Sequence, residues 1–361
     1  MKCNAMIVLG GLCMMGSAQA QSSVTLFGTL DAGITYVSNE GGHGNLKFDD
    51  GINVPNYLGI TGSEDLGGGT RATFKLVGEF ILGNGSILPG EGLFGQEAYV
   101  GLENTRYGTI RFGEQHNFMT EALLLTGTDG VLYGGGFYNF RNGPFDKLAI
   151  PENPTGAMSW DRMNGVPVNN AVKYISPTFG GFSFGAVYGF GNVAGSISQN
   201  NEYNFCVMYR NGGLSGGAAY MSQRYSGSEA GNPQIRIENW GAGLRYMVGS
   251  VGFNGLFTTV KNKFTGAAAY MGEVGTTWQP SPFWLLLADY MYMKGNGELN
   301  NNHAHQVTAA VTYFLSKRTS IYAEGVYQRA NSGAQAQINY VFTQSSSPSQ
   351  AIARLGVTML F

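Results

Sequence analysis

Charged side chains spaced by even numbers of residues are the groups in this sequence best placed to do chemistry. Arg71, Lys75 and Glu79 share one register with Thr73 and Val77, while Thr70, Ala72, Phe74, Leu76, Gly78 and Phe80 fill the other. Successive side chains of an extended chain point to opposite faces, so one face of this segment is charged and the other apolar. Such a face can attract or repel ions along a wetted wall; it holds no groups for making or breaking bonds. The four histidines, His43, His116, His303 and His305, do not change that reading. His303 and His305 could share a strand face, but no third ligand follows at a metal-binding spacing, and a loop or rim position is expected for them. His116 has no neighbours that mark a catalytic base, and no serine sits in a recognisable nucleophile arrangement. No catalytic residue, metal site or cofactor is therefore expected. The chain carries a formal charge of −2 and has no basic run, which argues against a nucleic-acid partner.

The elements that hold these charges repeat the same two-sided pattern. Val24, Leu26, Gly28, Leu30, Ala32, Ile34 and Tyr36 alternate with Thr25, Phe27, Thr29, Asp31, Gly33 and Thr35. Similar alternation runs through Phe182–Tyr188, Tyr203–Arg210, Trp240–Tyr246 and Val307–Leu315. A single strand of this kind also suits a soluble sandwich; many of them, each with an aliphatic and aromatic face, suit a wall with lipid outside and water inside. Composition agrees. The chain has 56 Gly, 20 Tyr and 22 Phe but only 12% charged residues, against about 25% in an ordinary soluble domain. Beyond the N-terminal leader, no apolar run is long enough for a spanning helix.

The N-terminal stretch carries Lys2, an apolar run from Ala5 to Leu12 continuing through Met14 and Met15, and the small-residue site Ala18-Gln19-Ala20. It reads as a cleaved secretory signal over residues 1–20, leaving residues 21–361 as one barrel domain. Cys3 and Cys13 fall in the leader, so Cys206 has no partner for an internal disulfide. Short Gly-, Asn- or Pro-containing joints occur at 64–69, 103–108, 177–181, 211–213, 248–250, 279–282 and 316–319. Seven such hairpins plus one strand at each terminus predict sixteen antiparallel strands, an all-β transmembrane barrel whose short turns face the periplasm. The last segment alternates Leu355, Val357, Met359 and Phe361 with Arg354, Gly356, Thr358 and Leu360. It is expected to pair with the strand that begins at Val24 and to set Phe361 at the periplasmic lipid interface.

Ser23–Gly33, Leu58–Gly69, Gln96–Leu102 with Tyr107-Gly108-Thr109, Val172–Pro177, Tyr313–Thr319 and the terminal Phe361 together resemble the general porins of Gram-negative bacteria, most closely their beta-proteobacterial branch. The resemblance implies an outer-membrane homotrimer set in lipid and lipopolysaccharide. It also implies passive diffusion of ions and small hydrophilic solutes, and a long third loop folded into the lumen, where its acids face basic residues on the wall. The stretch between Gly113 and Asn170 is the candidate loop, too long for an ordinary connection. Its acids include Glu121 and Asp129, expected at the constriction because they come early in it. By alternation the wall side offers Arg71, Lys75, Arg111 and Lys173. Glu114 joins them only if the strand ends or bulges after Phe112; otherwise it points outward with that ring. Several basic positions common in the family are replaced here. Tyr57 stands where Arg is usual, Thr61 where Lys is frequent, and Gly113-Glu114-Gln115 where Gly-Arg-Gln is common. Weak cation preference is therefore expected. The alternative is a substrate-preferring channel that uses the ring strip Tyr133, Phe137, Tyr138 and Phe140, which could equally pack the loop against the wall.

Overall fold

A computed structural model of the chain describes residues 23–90, 92–226 and 235–361. The expected leader lies outside them. The strand segments are β1 (Ser23–Glu40), β2 (His43–Asp50), β3 (Tyr57–Gly67), β4 (Thr70–Glu79), β5 (Glu97–Asn104), β6 (Gly108–His116), β7 (Pro167–Ile175), β8 (Phe182–Gly189) and β9 (Glu202–Asn211). They continue as β10 (Leu214–Tyr225), β11 (Ile235–Val248), β12 (Val251–Asn262), β13 (Ala268–Ser281), β14 (Trp284–Gly295), β15 (His303–Phe314), β16 (Thr319–Ala330) and β17 (Ser349–Leu360). All pair antiparallel in a single closed sheet. β2 and β3 both pair with β1, one beside each half of it, so they are two pieces of one interrupted strand and the barrel has sixteen.

Closure follows from the two end strands. Thr29 lies opposite Leu360 and Val37 opposite Ile352, and the Gly28 and Phe361 backbones exchange two hydrogen bonds of 3.1 Å. No unpaired edge remains at this seam. The seven expected short joints all occur, each connecting consecutive strands at one end of the barrel. Tyr107, Phe179, Phe253, Trp278, Phe283 and Phe361 are exposed near that end, an aromatic belt of the kind that lies at a membrane interface.

The two faces of the wall differ as the alternation requires. Val24, Leu244, Val274 and Leu355 are each more than half exposed, a surface suited to hydrocarbon. Asn239, Thr258, Glu273, Gln306 and Gln328 point the other way and are buried. Burying so many polar groups is costly unless each finds a partner, and these partners come from segments outside the wall.

The break in the second strand shows how. At 51–56 the chain leaves the ladder, with Gly51 at φ +68°. Asp31 on β1 replaces the lost ladder contacts, its carboxylate accepting from the Ile52 and Asn53 N–H groups at 2.9 and 3.1 Å. Its other oxygen accepts from Tyr322 at 2.8 Å and Thr358 at 2.9 Å, and Arg354 completes the buried hub at 3.1 Å. The sequence reading placed Asp31 on the polar face but did not foresee the excursion it anchors.

Candidate functional site

Residues 117–166, between β6 and β7, contain only single turns, at Thr120–Leu124, Gly130–Tyr133, Gly136–Asn139 and Asp146–Leu148. Besides bonds among its own backbone groups, this segment is held by side chains on the inner face of the wall. Asn239 on β11 donates to the Trp160 carbonyl at 2.9 Å, and Asn262 on β12 donates to the Leu148 carbonyl at 2.9 Å. Glu273 on β13 accepts from the Gly130 N–H at 2.9 Å, and Thr308 on β15 donates to the Asn139 side chain at 2.6 Å. Phe118, Phe145, Leu148, Trp160 and Met163 form an apolar core inside these bonds. At the opposite edge the Phe137 N–H donates to the Ile52 carbonyl at 2.8 Å. Gly136 permits this approach: its φ is +48°, and a Cβ there would stand 1.9 Å from the Ile52 oxygen. Side chains are excluded by both conditions.

Two groups of charge involve this segment or the wall beside it. The first is dry. Arg141 is wholly buried and reaches Asp129 at 2.6 Å, Glu273 at 2.8 Å and Asp161 at 3.0 Å. Burial works against the Arg141 charge, but the three carboxylates outweigh it and hold its pKa above the ordinary value. Burial pushes the Asp161 carboxyl upward, and Arg141 offsets only part of that rise. The second group lies along β4–β7. Lys75 pairs with Glu97, Arg111 with Glu103 at 3.2 Å, and Lys173 with Glu121 at 2.6 Å. Lys75 and Arg111 keep part of their surface accessible.

Known proteins now bear on this architecture. A model of the Gram-negative porin family matches residues 5–333. The chain belongs to that family. Outer membrane porin protein 32 of Delftia acidovorans is 28% identical over 380 residues, spanning 99% of both chains. Major outer membrane protein P.IB of Neisseria gonorrhoeae is 24% identical over 347 residues, covering 87% of this chain and 91% of that protein. Among solved structures, the anion-selective porin from Comamonas acidovorans gives a TM-score of 0.77 at 25% identity, covering 94% of this chain and 100% of that one. The trimer form of in-vitro folded OmpT from Vibrio cholerae gives 0.65 at 13% identity, with 94% and 99% covered, a likeness of fold. This porin is thus an outer-membrane channel for passive diffusion and not an enzyme.

The residues singled out in the porin's sequence are placed as follows. Glu121 and Lys173 meet across the segment and the wall, and the Lys173 ammonium also donates to the His116 carbonyl at 2.7 Å. Asp129 differs from expectation: it is fully buried, caps the Gly130–Tyr133 turn through the Val131 N–H at 2.7 Å and faces Arg141. Arg71 is exposed beside the 68–69 turn, opposite Asp65 and Glu103 in the ladders. Glu114 stands at a register shift between Gly113 and Gln115 and lines a cavity. Gly113 sits at φ +129° there, and a Cβ would lie 2.1 Å from the Ala98 oxygen. In the ring strip, Tyr138 is buried and donates to Asp49, Phe137 stacks on Tyr340 at 4.4 Å, and Phe140 is buried beside it. Those rings pack the segment.

Three groups escaped the sequence reading. Glu97 and Glu103 were legible, because Val100 and Leu102 face outward and fix the parity of β5. Glu273 was readable as an inner-face acid, though not as a partner of Arg141. Residues 331–348, before the last strand, left no local signal, yet Asn339 accepts from the Ser159 N–H at 2.9 Å and donates to the Phe137 carbonyl at 2.8 Å. That second segment braces the first. Cavities of about 760 and 250 Å³ adjoin the segment 117–166, and Phe137, Asn164 and Gly165 line both.

Proposed function

We propose that residues 117–166 fold into the lumen and form the constriction, and that solutes pass between this loop and the wall made by β1–β7. The support lies in the contacts of the loop with β11–β15, which occupy that side of the interior. The two cavities that Phe137 lines are bounded on the wall side mainly by β1, β3, β4, β6 and β7, with Gln223 and Tyr225 of β10 at the edge of the larger. The reading includes removal of residues 1–20 and assembly as a homotrimer, as the family resemblance implies.

The filter is read as weakly cation-preferring. One observation carries this: Lys75, Arg111 and Lys173 each face a carboxylate within an ion pair, so the basic wall is largely neutralised, and an acid, Glu114, stands in the cavity lining where the resembling family commonly has Arg. Rings of uncompensated charge set the barrier to ions of like sign, and here the cations are compensated. The relative from Comamonas acidovorans is described as anion-selective; Tyr57, Thr61 and Glu114 are the positions at which this chain is expected to depart from it in behaviour. Reversal potentials across a planar bilayer in a potassium chloride gradient test the reading. A small cation-selective potential is expected, and a clear anion-selective potential overturns it.

A further inference from the structure

The smaller cavity differs in chemistry from the charged wall beside it. Ile52, Val54 and Pro55, from the break in the second strand, line one side, and Leu125, Leu132 and Phe137 of the loop line the other. Leu125 is 49% exposed and Leu132 44% exposed, so two apolar side chains of the loop face open space. Tyr57, at the position where a basic residue is usual in the resembling family, lines the same cavity. The larger cavity, which shares Phe137, Asn164 and Gly165 with it, presents charges of both signs through Glu114, Glu152 and Arg162.

We propose that this apolar throat and the charged chamber above it form a binding site for small zwitterionic solutes carrying one aromatic ring, the chemical class of the aromatic α-amino acids. The inference rests on the placement of the loop in the lumen. Size supports it: the throat holds about 250 Å³, and an engineered apolar cavity of about 150 Å³ accepts benzene. Polarity supports it as well. A ring entering the throat removes the half-exposed leucines from water, while an ammonium and a carboxylate held one carbon apart meet Glu152 and Arg162, which act on one another across the chamber lining. A polar side chain of similar length gains nothing from the leucines and must shed its own water.

The test uses the full mature chain in a planar bilayer, with phenylalanine and glutamine as probes that share a zwitterionic head. Phenylalanine is expected to interrupt the potassium chloride current in a saturable way, and glutamine at the same concentration is not. In the double variant Leu125→Ser/Leu132→Ser, the phenylalanine concentration for half-blockade is expected to rise about tenfold, the scale for losing apolar contact with a ring. Val54→Ser, on the opposite wall, provides a second variant with the same expected direction, and heat-modifiable mobility on gels reports that each barrel is folded. A wild-type pore that conducts but treats the two amino acids alike overturns this inference and leaves the channel reading standing. So does a folded double variant that retains the phenylalanine effect. A folded wild-type barrel with no steady conductance overturns the channel reading itself.

Discussion

The two sides of the barrel interior use polar residues for opposite ends. Along β11–β15, Asn239, Thr258, Asn262, Glu273, Gln306 and Thr308 are almost wholly buried, and each hydrogen-bonds the segment 117–166. Along β4–β6, Lys75, Arg111 and Glu114 are only partly buried, and Glu114 lines a cavity. On the proposed reading, one side is a socket and the other a wall of the passage. The same strand periodicity encodes both. What separates them is whether a segment remote in sequence arrives with complementary groups, and in particular whether it brings Arg141.

Removing that cation breaks the socket most severely. Arg141→Met leaves Asp129, Asp161 and Glu273 buried without their shared counter-charge, and stripping one partner from a buried ionic group costs about 3–5 kcal/mol. Urea titration of the folded barrel, followed by its gel mobility, is expected to show a loss of that order, with noisier single-channel current as the loop loosens. The deficit is expected to shrink on acidification. A carboxyl whose folded-state pKa is raised, as burial raises Asp161, binds its proton more tightly in the folded state. Its favourable contribution is complete below the unfolded pKa and is lost as pH rises through the folded value. A variant equally stable at pH 5 and pH 8 defeats this account.

The next effect in size concerns the point where the socketed loop touches the passage wall. Gly136→Ala places a Cβ against the Ile52 carbonyl at a positive φ, a strain on the order of 1–3 kcal/mol. The loop is expected to withdraw from 51–56, and the single-channel conductance to rise. An unchanged conductance in a folded variant shows that this contact does not set the width of the throat.

These two predictions also mark where sequence reasoning ran out. The strands, their joints and the β1–β17 seam were legible because each is a local pattern of period two bounded by turn residues. The doubt over Glu114 fell on an actual irregularity, the register shift between Gly113 and Gln115. Asp129 was placed on the loop side of the constriction from its early position alone, and it is buried because Arg141, twelve residues on, folds back to meet it beside Glu273. The excursion at 51–56 and the bracing by Asn339 likewise depend on partners hundreds of residues away. Periodicity reports which face a side chain occupies; it carries no record of what will cover that face.

On the passage side, the pair that joins loop to wall can be tested from both ends. Glu121→Gln leaves the Lys173 ammonium without its carboxylate, and the reversal potential is expected to move toward anions. Lys173→Met removes the cation and moves it toward cations. The pair is partly accessible through Glu121, whose side chain is 15% exposed, so an interaction on the order of 1–4 kcal/mol at contact is damped by solvent and the permeability ratio changes by about a few-fold. Shifts of the same sign in both variants would mean that neither charge lies near the ion path.

The smallest expected effect comes from Tyr57→Arg, which adds a cation to the throat without removing an acid. Tyr57 opens β3 opposite Thr29 and lines the apolar cavity, so the guanidinium has a wetted space to enter and needs no repacking of the socket. Its charge is screened by water and salt, which limits the shift toward anions to less than that of Glu121→Gln. The comparison is sharpest at low salt: a Debye length of about 30 Å at 0.01 M against about 10 Å at 0.1 M predicts that the anionward shift of Tyr57→Arg grows on dilution. A shift that does not depend on salt places the new charge away from the conducting path and moves the throat elsewhere along the wall.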